Sequence, residues 1–225
     1  MNGVATYPWH VGFWERQVVP RVINLMMGTE GFAKLRRRTV GAVHGEVLEV
    51  GFGSGLNVPH YPEAVTRVYA VDPSEVGREL AAGRIAESPV PIEYVGLDGE
   101  ELPLADHSVD TALSTWTLCT IPHPDRALRE IARVLKPGGT FHFLEHGHAP
   151  DEKVQRWQRR LDPVQRRIAG GCHLDRRIDG LVREAGFDID ELHTFYVAGP
   201  KSMSYMYAGQ GRVAAVSDSD SGSGA

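Results

Sequence analysis

Residues 47–57 read "VLEVGFGSGLN". An apolar run carrying one acid, Glu49, breaks into glycines at alternate positions, Gly51, Gly53 and Gly55. Glycine at that density marks backbone that turns tightly or lets another group come close. The run before it is β-rich, and a helical stretch is expected near 56–61. A strand-to-helix loop of this kind sets backbone N–H groups and the positive end of a helix beside a ligand. The dinucleotide fingerprint is Gly-x-Gly-x-x-Gly. Here Leu56 stands where its last glycine belongs, which weakens a pyrophosphate reading. A tight turn without a ligand is the plain alternative.

Outward from the loop, β-rich runs alternate with helical ones. Strands are expected at 46–50, 67–72, 92–97, 109–115, 140–145, 187–197 and 203–213. Helices are expected near 74–86, 124–135, 150–168 and 174–185. This alternation predicts an α/β fold, a Rossmann-like seven-stranded, mostly parallel sheet with helices on both faces. No helix separates the last two strands, and Pro200 and Lys201 offer a hairpin-like connection, so one strand should run antiparallel. Before the loop, residues 9–38 place Trp9, Phe13, Val18, Val22, Leu25 and Met26 at roughly helical spacing. They read as amphipathic helices interrupted near Pro20 and Gly28 and packed over the core. The tail "SDSDSGSGA" is polar and low in complexity, and reads as disordered over 214–225.

The bulk numbers narrow the class. The chain has 225 residues, 42% hydrophobic and 24% charged, with a net charge of −5. That length hides roughly 70% of the unfolded surface, enough for one sizeable core. The acidic balance gives no global pull toward nucleic acid. Two cysteines, Cys119 and Cys172, argue against a disulfide framework and suit a reducing compartment. The start has no basic region followed by an apolar core, and no run of 18 apolar residues exists. A cytoplasmic protein is expected, with peripheral lipid contact left open. Nothing sets an oligomeric state.

Asp72 adds to the loop. It ends the strand "RVYAV", 21 positions after Gly51. In doubly wound sheets an acid about 20 residues on accepts hydrogen bonds from ribose hydroxyls. Asp72 also suits a turn that caps the following helix, and the two roles are compatible.

The ordered stretches "EVGFGSG", "VYAVDPS", "GLDGEELPLADHSVD" and "RVLKPGGTFHFLEH" resemble class I S-adenosylmethionine-dependent methyltransferases over about residues 45–213. The resemblance implies cofactor contacts from Glu49, the Gly51–Gly55 loop and Asn57. It implies that Asp72 and Pro73 sit at the ribose, that Asp98, Gly99 and Glu100 sit at the adenine edge, and that Thr115 and Trp116 line the route to the methyl group. A loop-shaping role is the alternative for Glu100. "LKPGG", Leu135 to Gly139, reads as a structural helix-to-strand turn. "GSGLNVPHYP", "TWTLCTIPHP" and "LEHGHAP…WQRRLDPVQRRIAGGCHL" are similar to the methyltransferase-like seven group of alkyl thiol methyltransferases. That signature falls on Trp157, Gln158, Asp162, Pro163, Gly171, Cys172 and Leu174. The resemblance divides the chain into an N-terminal helical lid at 1–44 and a cofactor-binding domain at 45–213, with a helical insertion at 149–180 over the acceptor pocket.

The implied reaction is methyl transfer to a small lipophilic acceptor, a thiol first. A quinone or phenol methyltransferase, a phospholipid N-methyltransferase, and a catalytically idle module binding S-adenosylmethionine or S-adenosylhomocysteine are the rivals. A thiol with a pKa near 8.5 is roughly a few per cent ionised at neutral pH, so a nearby base helps. His146 and His173 are the candidates, because imidazole titrates near neutrality. His148 ranks below them. Glu145, His146 and His148 lack the ligand count and spacing of a metal site, and no metal is expected. Cys119 and Cys172 read as small buried hydrophobes, with Cys172 at the pocket wall. The arginines between Arg156 and Arg183 read as a solvated face, with an anionic surface as the rival.

Overall fold

A computed structural model describes residues 12–214. The expectations for Trp9 and for the tail from residue 215 lie outside the described residues. Seven strands form one sheet: β1 (Gly45–Val50), β2 (Val65–Val71), β3 (Ile92–Gly96), β4 (Val109–Thr115), β5 (Leu135–His146), β6 (Phe187–Tyr196) and β7 (Tyr205–Val213). Their order is β3-β2-β1-β4-β5-β7-β6. β1 to β5 pair in parallel. β7 runs antiparallel to both β5 and β6, as the missing helix between the last two strands implied.

The central strands are covered on both faces, so they read as nearly continuous apolar runs. Val47, Leu48 and Val50 of β1 are buried, as are Val109, Ala112 and Leu113 of β4. Helix α3 (Glu75–Ala86) starts on Ser74, whose hydroxyl accepts the Gly77 N–H at 2.9 Å. Helix α4 (Pro124–Val134) turns Ala127, Leu128, Ile131 and Val134 into the core, one stripe at helical spacing. Phe141 and Phe143 of β5 pack against each other, and Phe141 also against Phe187. Gly209 of β7 leaves room for them, since a Cβ there would lie 2.7 Å from the Phe143 ring.

Strand order reverses between β1 and β4, so a crevice opens outside their carboxyl ends. The glycine loop leaves β1 at that point.

Three local expectations change. The stretch 56–61 forms a single tight turn, Val58–His60, rather than a full helix. Leu135–Gly139 is no simple turn, because pairing with β4 begins at Leu135 and is interrupted by a bulge before Thr140. Lys136 holds that bulge through Asp110 at 2.8 Å, which leaves the segment structural. At the N-terminal end, a wide turn (Trp14–Val18) leads directly into α1 (Val19–Met27), with Pro20 harmless in its first turn, and α2 (Glu30–Val40) follows Gly28. Phe13, Trp14, Leu25 and Met26 point largely to solvent instead of packing over the core; Val19 is the buried residue of α1. Helix α1 touches the preceding turn and α3, too little surface to cover its apolar face. Among the described residues no helix is long and apolar enough to cross a membrane.

Candidate active site

The first half of the site is built from backbone. Gly51, Gly53 and Gly55 all have positive φ, a region that costs other residues about 1–2 kcal/mol. A Cβ on Gly51 would fall 1.8 Å from the Thr117 hydroxyl oxygen, so the loop lies directly against the segment after β4. A Cβ on Gly53 would meet nothing closer than 3.9 Å, which leaves an open cradle. Asp72, at the end of β2, accepts the Gly53 N–H and the Ser74 N–H, each at 2.7 Å on a separate oxygen. It therefore holds the loop and caps α3 together, and each oxygen keeps a lone pair for a ligand hydroxyl. Burial pushes its carboxyl above the usual range.

Asn57 is buried. Its amide donates to Glu49 at 2.9 Å and to Thr115 at 3.0 Å, joining the ends of β1 and β4. Its Oδ1 is buried with no partner, and a buried acceptor without a donor is one a ligand can satisfy. Glu49 is fully buried, and its second oxygen accepts from the Tyr61 hydroxyl. Burial pushes Glu49 up to about 7. Each of its oxygens accepts one hydrogen bond within the protein, so Glu49 orders the loop from below. Asp98 and Glu100 lie on the loop after β3. Asp98 accepts the Glu100 N–H at 2.8 Å, and the Glu100 carboxylate accepts the His123 N–H at 3.0 Å. Gly99 is buried against Val50, whereas Pro73 is exposed.

The second half lies at the ends of β4 and β5. Trp116 adopts φ 53, an uncommon strain for an aromatic residue. Its ring meets Phe32 edge-on at 5.5 Å and the Arg36 guanidinium at 4.5 Å, which fastens α2 to the site. Glu145 is wholly enclosed. It accepts from Ser114 at 2.7 Å, Thr117 N–H at 3.0 Å and Cys119 N–H at 3.3 Å. It fixes the turn after β4 and is not free for chemistry. His146 is buried, with Nε2 unpartnered. Its Nδ1 is 3.7 Å from the Cys172 sulfur, which is 3.7 Å from the Cys119 sulfur.

His173 lies beside this group but faces elsewhere, with Nδ1 3.9 Å from Asp162. Its N–H donates to Cys119 O at 2.7 Å. Burial lowers the pKa of both His173 and His148. Helix α5 (Glu152–Ile168) braces the loops on either side of it. Gln158 bridges Ala149 N–H and Gly147 O, each at 3.0 Å, and Asp162 accepts the Leu174 N–H at 2.8 Å. The arginines are mostly solvated, but Arg176 donates to Leu118 O and, at 2.6 Å, to Ile121 O.

The structure thus brings the glycine loop, Asn57, Asp72, Thr115 and His146 to one sheet edge. Two residues of this edge had no strong signal in the sequence. Arg36 is buried with an unpartnered Nε, and burial lowers it to about 10. It sits inside "KLRRR", where composition suggests a solvated charge run. Cys119 gains meaning only beside Cys172, 53 positions away. A cleft of about 500 Å³ lies elsewhere, between α2 and strands β5 to β7, and none of the expected site residues line it.

Residues 48–143 match the family described as a methyltransferase domain. The chain is 37% identical over 145 residues to the thiol S-methyltransferase TMT1A of Homo sapiens, covering 63% of this chain and 59% of that relative. It is 35% identical over 117 residues to a phosphatidylethanolamine N-methyltransferase of Cereibacter sphaeroides, covering 49% and 57%. The match thus spans about three fifths of the length of these curated relatives. A phosphoethanolamine N-methyltransferase 2 of Haemonchus contortus, solved with phosphomonomethylethanolamine and S-adenosylhomocysteine, shares the fold with a TM-score of 0.62 at 16% identity. It covers 87% of this chain and 57% of that one.

Proposed function

We propose that the chain, whose residues 48–143 match a methyltransferase domain, is an S-adenosylmethionine-dependent methyltransferase that transfers a methyl group to the sulfur of a small, lipophilic thiol. The observation that carries the methyl-donor half is Asp72, which ties the open glycine cradle to the end of β2 with acceptor capacity to spare. Asp72 would hold the ribose hydroxyls, and Asp98 and Gly99 the adenine edge. Asn57 Oδ1 would accept from the cofactor's ammonium, and the buried Arg36 guanidinium, with its Nε unpartnered, would pair with the carboxylate. S-adenosylmethionine, when bound, supplies a methyl group on a positively charged sulfonium, an electrophile with a good leaving group.

The chain's residues have three tasks. Thr115 and Trp116 align the acceptor with the methyl group, and alignment is the larger part of catalysis for such a displacement. Helices α2 and α5 exclude water. The acceptor loses its proton, and we place the dependence of that step on His146, the buried imidazole at the end of β5. His173, turned toward Asp162, is the weaker candidate. The acceptor sulfur forms its new bond to carbon as the old carbon–sulfur bond breaks, whose electron pair stays with the departing sulfur.

Thiol is favoured by the thiol S-methyltransferase relatives and by the sulfur-rich wall beside His146. A phospholipid amine or a quinone is the second reading, favoured by the phosphatidylethanolamine N-methyltransferase relative for the amine and by a demethylmenaquinone methyltransferase relative for the quinone. The test is methyl transfer from isotope-labelled S-adenosylmethionine to a panel of alkyl thiols, quinones, phenols and phospholipids. Labelled thioethers as the main product are expected. Product from quinones or lipids alone removes the thiol reading, and cofactor binding without any product leaves a binding module.

A further inference from the structure

Two free thiols and one imidazole meet in the wall beyond Trp116. Deprotonation of an acceptor needs the imidazole alone, so the pair of cysteines is unexplained by that role. The three ligating atoms of Cys119, His146 and Cys172 lie within 4.8 Å of one another. The sulfur–sulfur and sulfur–nitrogen distances are both 3.7 Å. A tetrahedral zinc ion with metal–sulfur bonds of about 2.3 Å places its sulfurs about 3.8 Å apart, and sulfur and nitrogen about 3.6 Å apart. The two observed spacings match edges of such a tetrahedron, and the third, between Cys119 and His146, lies within 4.8 Å.

We propose that Cys119, His146 Nδ1 and Cys172 bind a thiophilic divalent cation, zinc being the probe, and leave a fourth position open to the acceptor sulfur. Two thiolates and a neutral imidazole cancel the ion's charge, so the centre adds no net charge to a buried wall. Three protein ligands and an open position are the pattern of catalytic rather than structural zinc. The surroundings hold the donors in place. Glu145 accepts the Cys119 N–H, and the Cys119 carbonyl accepts the His173 N–H. These bonds link the loop after β4 to the loop after α5 and so fix the backbone that carries both cysteines. Cys172, the less buried of the two cysteines, marks the side from which an ion enters.

The open position rests on the thiol reading above. An acceptor thiol entering it binds as thiolate, its proton passing to solvent as the metal–sulfur bond forms. His146 then serves deprotonation as a ligand rather than as a base.

The test uses the full chain, kept reduced with a phosphine and freed of metal, titrated with Co²⁺ and followed by absorption. One equivalent should produce thiolate-to-cobalt charge transfer and the visible bands of a tetrahedral ion, and Zn²⁺ should displace it. Cys172→Ser and His146→Ala should each weaken binding by at least a hundredfold while circular dichroism stays unchanged. Cys119→Ser is the third variant; its site is the most enclosed, so its fold is verified first. An added alkyl thiol should shift the visible bands. No stoichiometric cobalt spectrum, or equal binding by the Cys172 and His146 variants, overturns the site. A spectrum that no thiol perturbs overturns the open position. Full-rate thiol methylation by metal-free protein also overturns the inference, yet leaves the thiol reading standing.

Discussion

Asp72 draws its two N–H donors from 2 and 19 positions away. Cys172 meets His146 across 26 positions and Cys119 across 53. The two groups share one sheet edge but are specified at different ranges. The donor half is a local design, in which three positive-φ glycines and one strand-end acid set the shape of a cradle. The acceptor half is assembled by long-range packing, through the turn after β4, the end of β5 and the loop after α5. A change in the first strains the backbone on which the sheet edge depends. A change in the second swaps a side chain on an intact frame, which lets one cradle serve many acceptors.

The most severe test strikes the seam between the halves. Gly51→Ala puts a Cβ 1.8 Å from the Thr117 hydroxyl at φ +79. The loop must move, and S-adenosylmethionine affinity measured by calorimetry should fall more than a thousandfold, about 4 kcal/mol. Binding within tenfold of the parent, by a variant with the parent's circular dichroism, would show that the cradle and the β4 turn are independent.

Two buried groups of the sheet should also differ in sign with pH, Glu49 beneath the cradle and His142 on β5 outside the site. Glu49 is enclosed beneath the cradle and raised from 4.5 to about 7. Between these values the folded state holds a proton that the unfolded state has lost, so its contribution falls as pH rises through the window. His142 on β5 is buried and lowered from 6.5 to about 4. There the unfolded state holds the extra proton, so its contribution rises with pH over 4 to 6.5 and is lost as pH falls. Each effect is on the order of 3 kcal/mol from the size of the shift, and they oppose. Chemical denaturation from pH 4.5 to 6.5 should show little slope for the parent. Glu49→Gln should uncover stability that rises with pH, and His142→Gln stability that falls. Equal slopes in all three proteins would mean that neither group is held as its burial requires.

A smaller effect is expected at Asp72. Asp72→Ala removes a charged acceptor from the cradle, where a hydrogen bond to a charged group is worth about 1.5–3 kcal/mol. Calorimetry should show affinity for S-adenosylmethionine reduced about thirtyfold. Unchanged affinity would take Asp72 out of the binding site and leave it a cap for α3.

The difference in range explains what the sequence discloses. The alternation of strands and helices, the antiparallel β7, the glycine loop and Asp72 all follow from periodicity or short spacing. Arg36 does not, because only the aromatic face of Trp116 distinguishes it from its neighbours in "KLRRR". The cysteine pair does not, because 53 residues and an entire strand intervene. The N-terminal helices read as core-packed from their apolar spacing, yet Phe13, Leu25 and Met26 are exposed. Amphipathicity states that a face is apolar and is silent about what covers it. Glu49 shows a different gap. The resemblance implies cofactor contact there, and spacing alone does not name the two partners, Asn57 and Tyr61, that hold its buried carboxyl beneath the loop.

Glu100 separates support from binding within the donor half itself. Its carboxylate accepts the His123 N–H at 3.0 Å, at the position that caps α4. Its own N–H donates to Asp98, and truncating the side chain leaves that bond intact. Glu100→Ala should therefore cost about 1 kcal/mol of stability, the usual worth of a lost cap, and change S-adenosylmethionine affinity less than twofold. Thermal unfolding and calorimetry on the same preparation resolve the two. A tenfold loss of affinity with an unchanged melting temperature would move Glu100 from the loop's frame to the adenine contact. The acid beside Asp98 would then belong to the ligand, and the donor half would be read from its sequence more completely than its hydrogen bonds now imply.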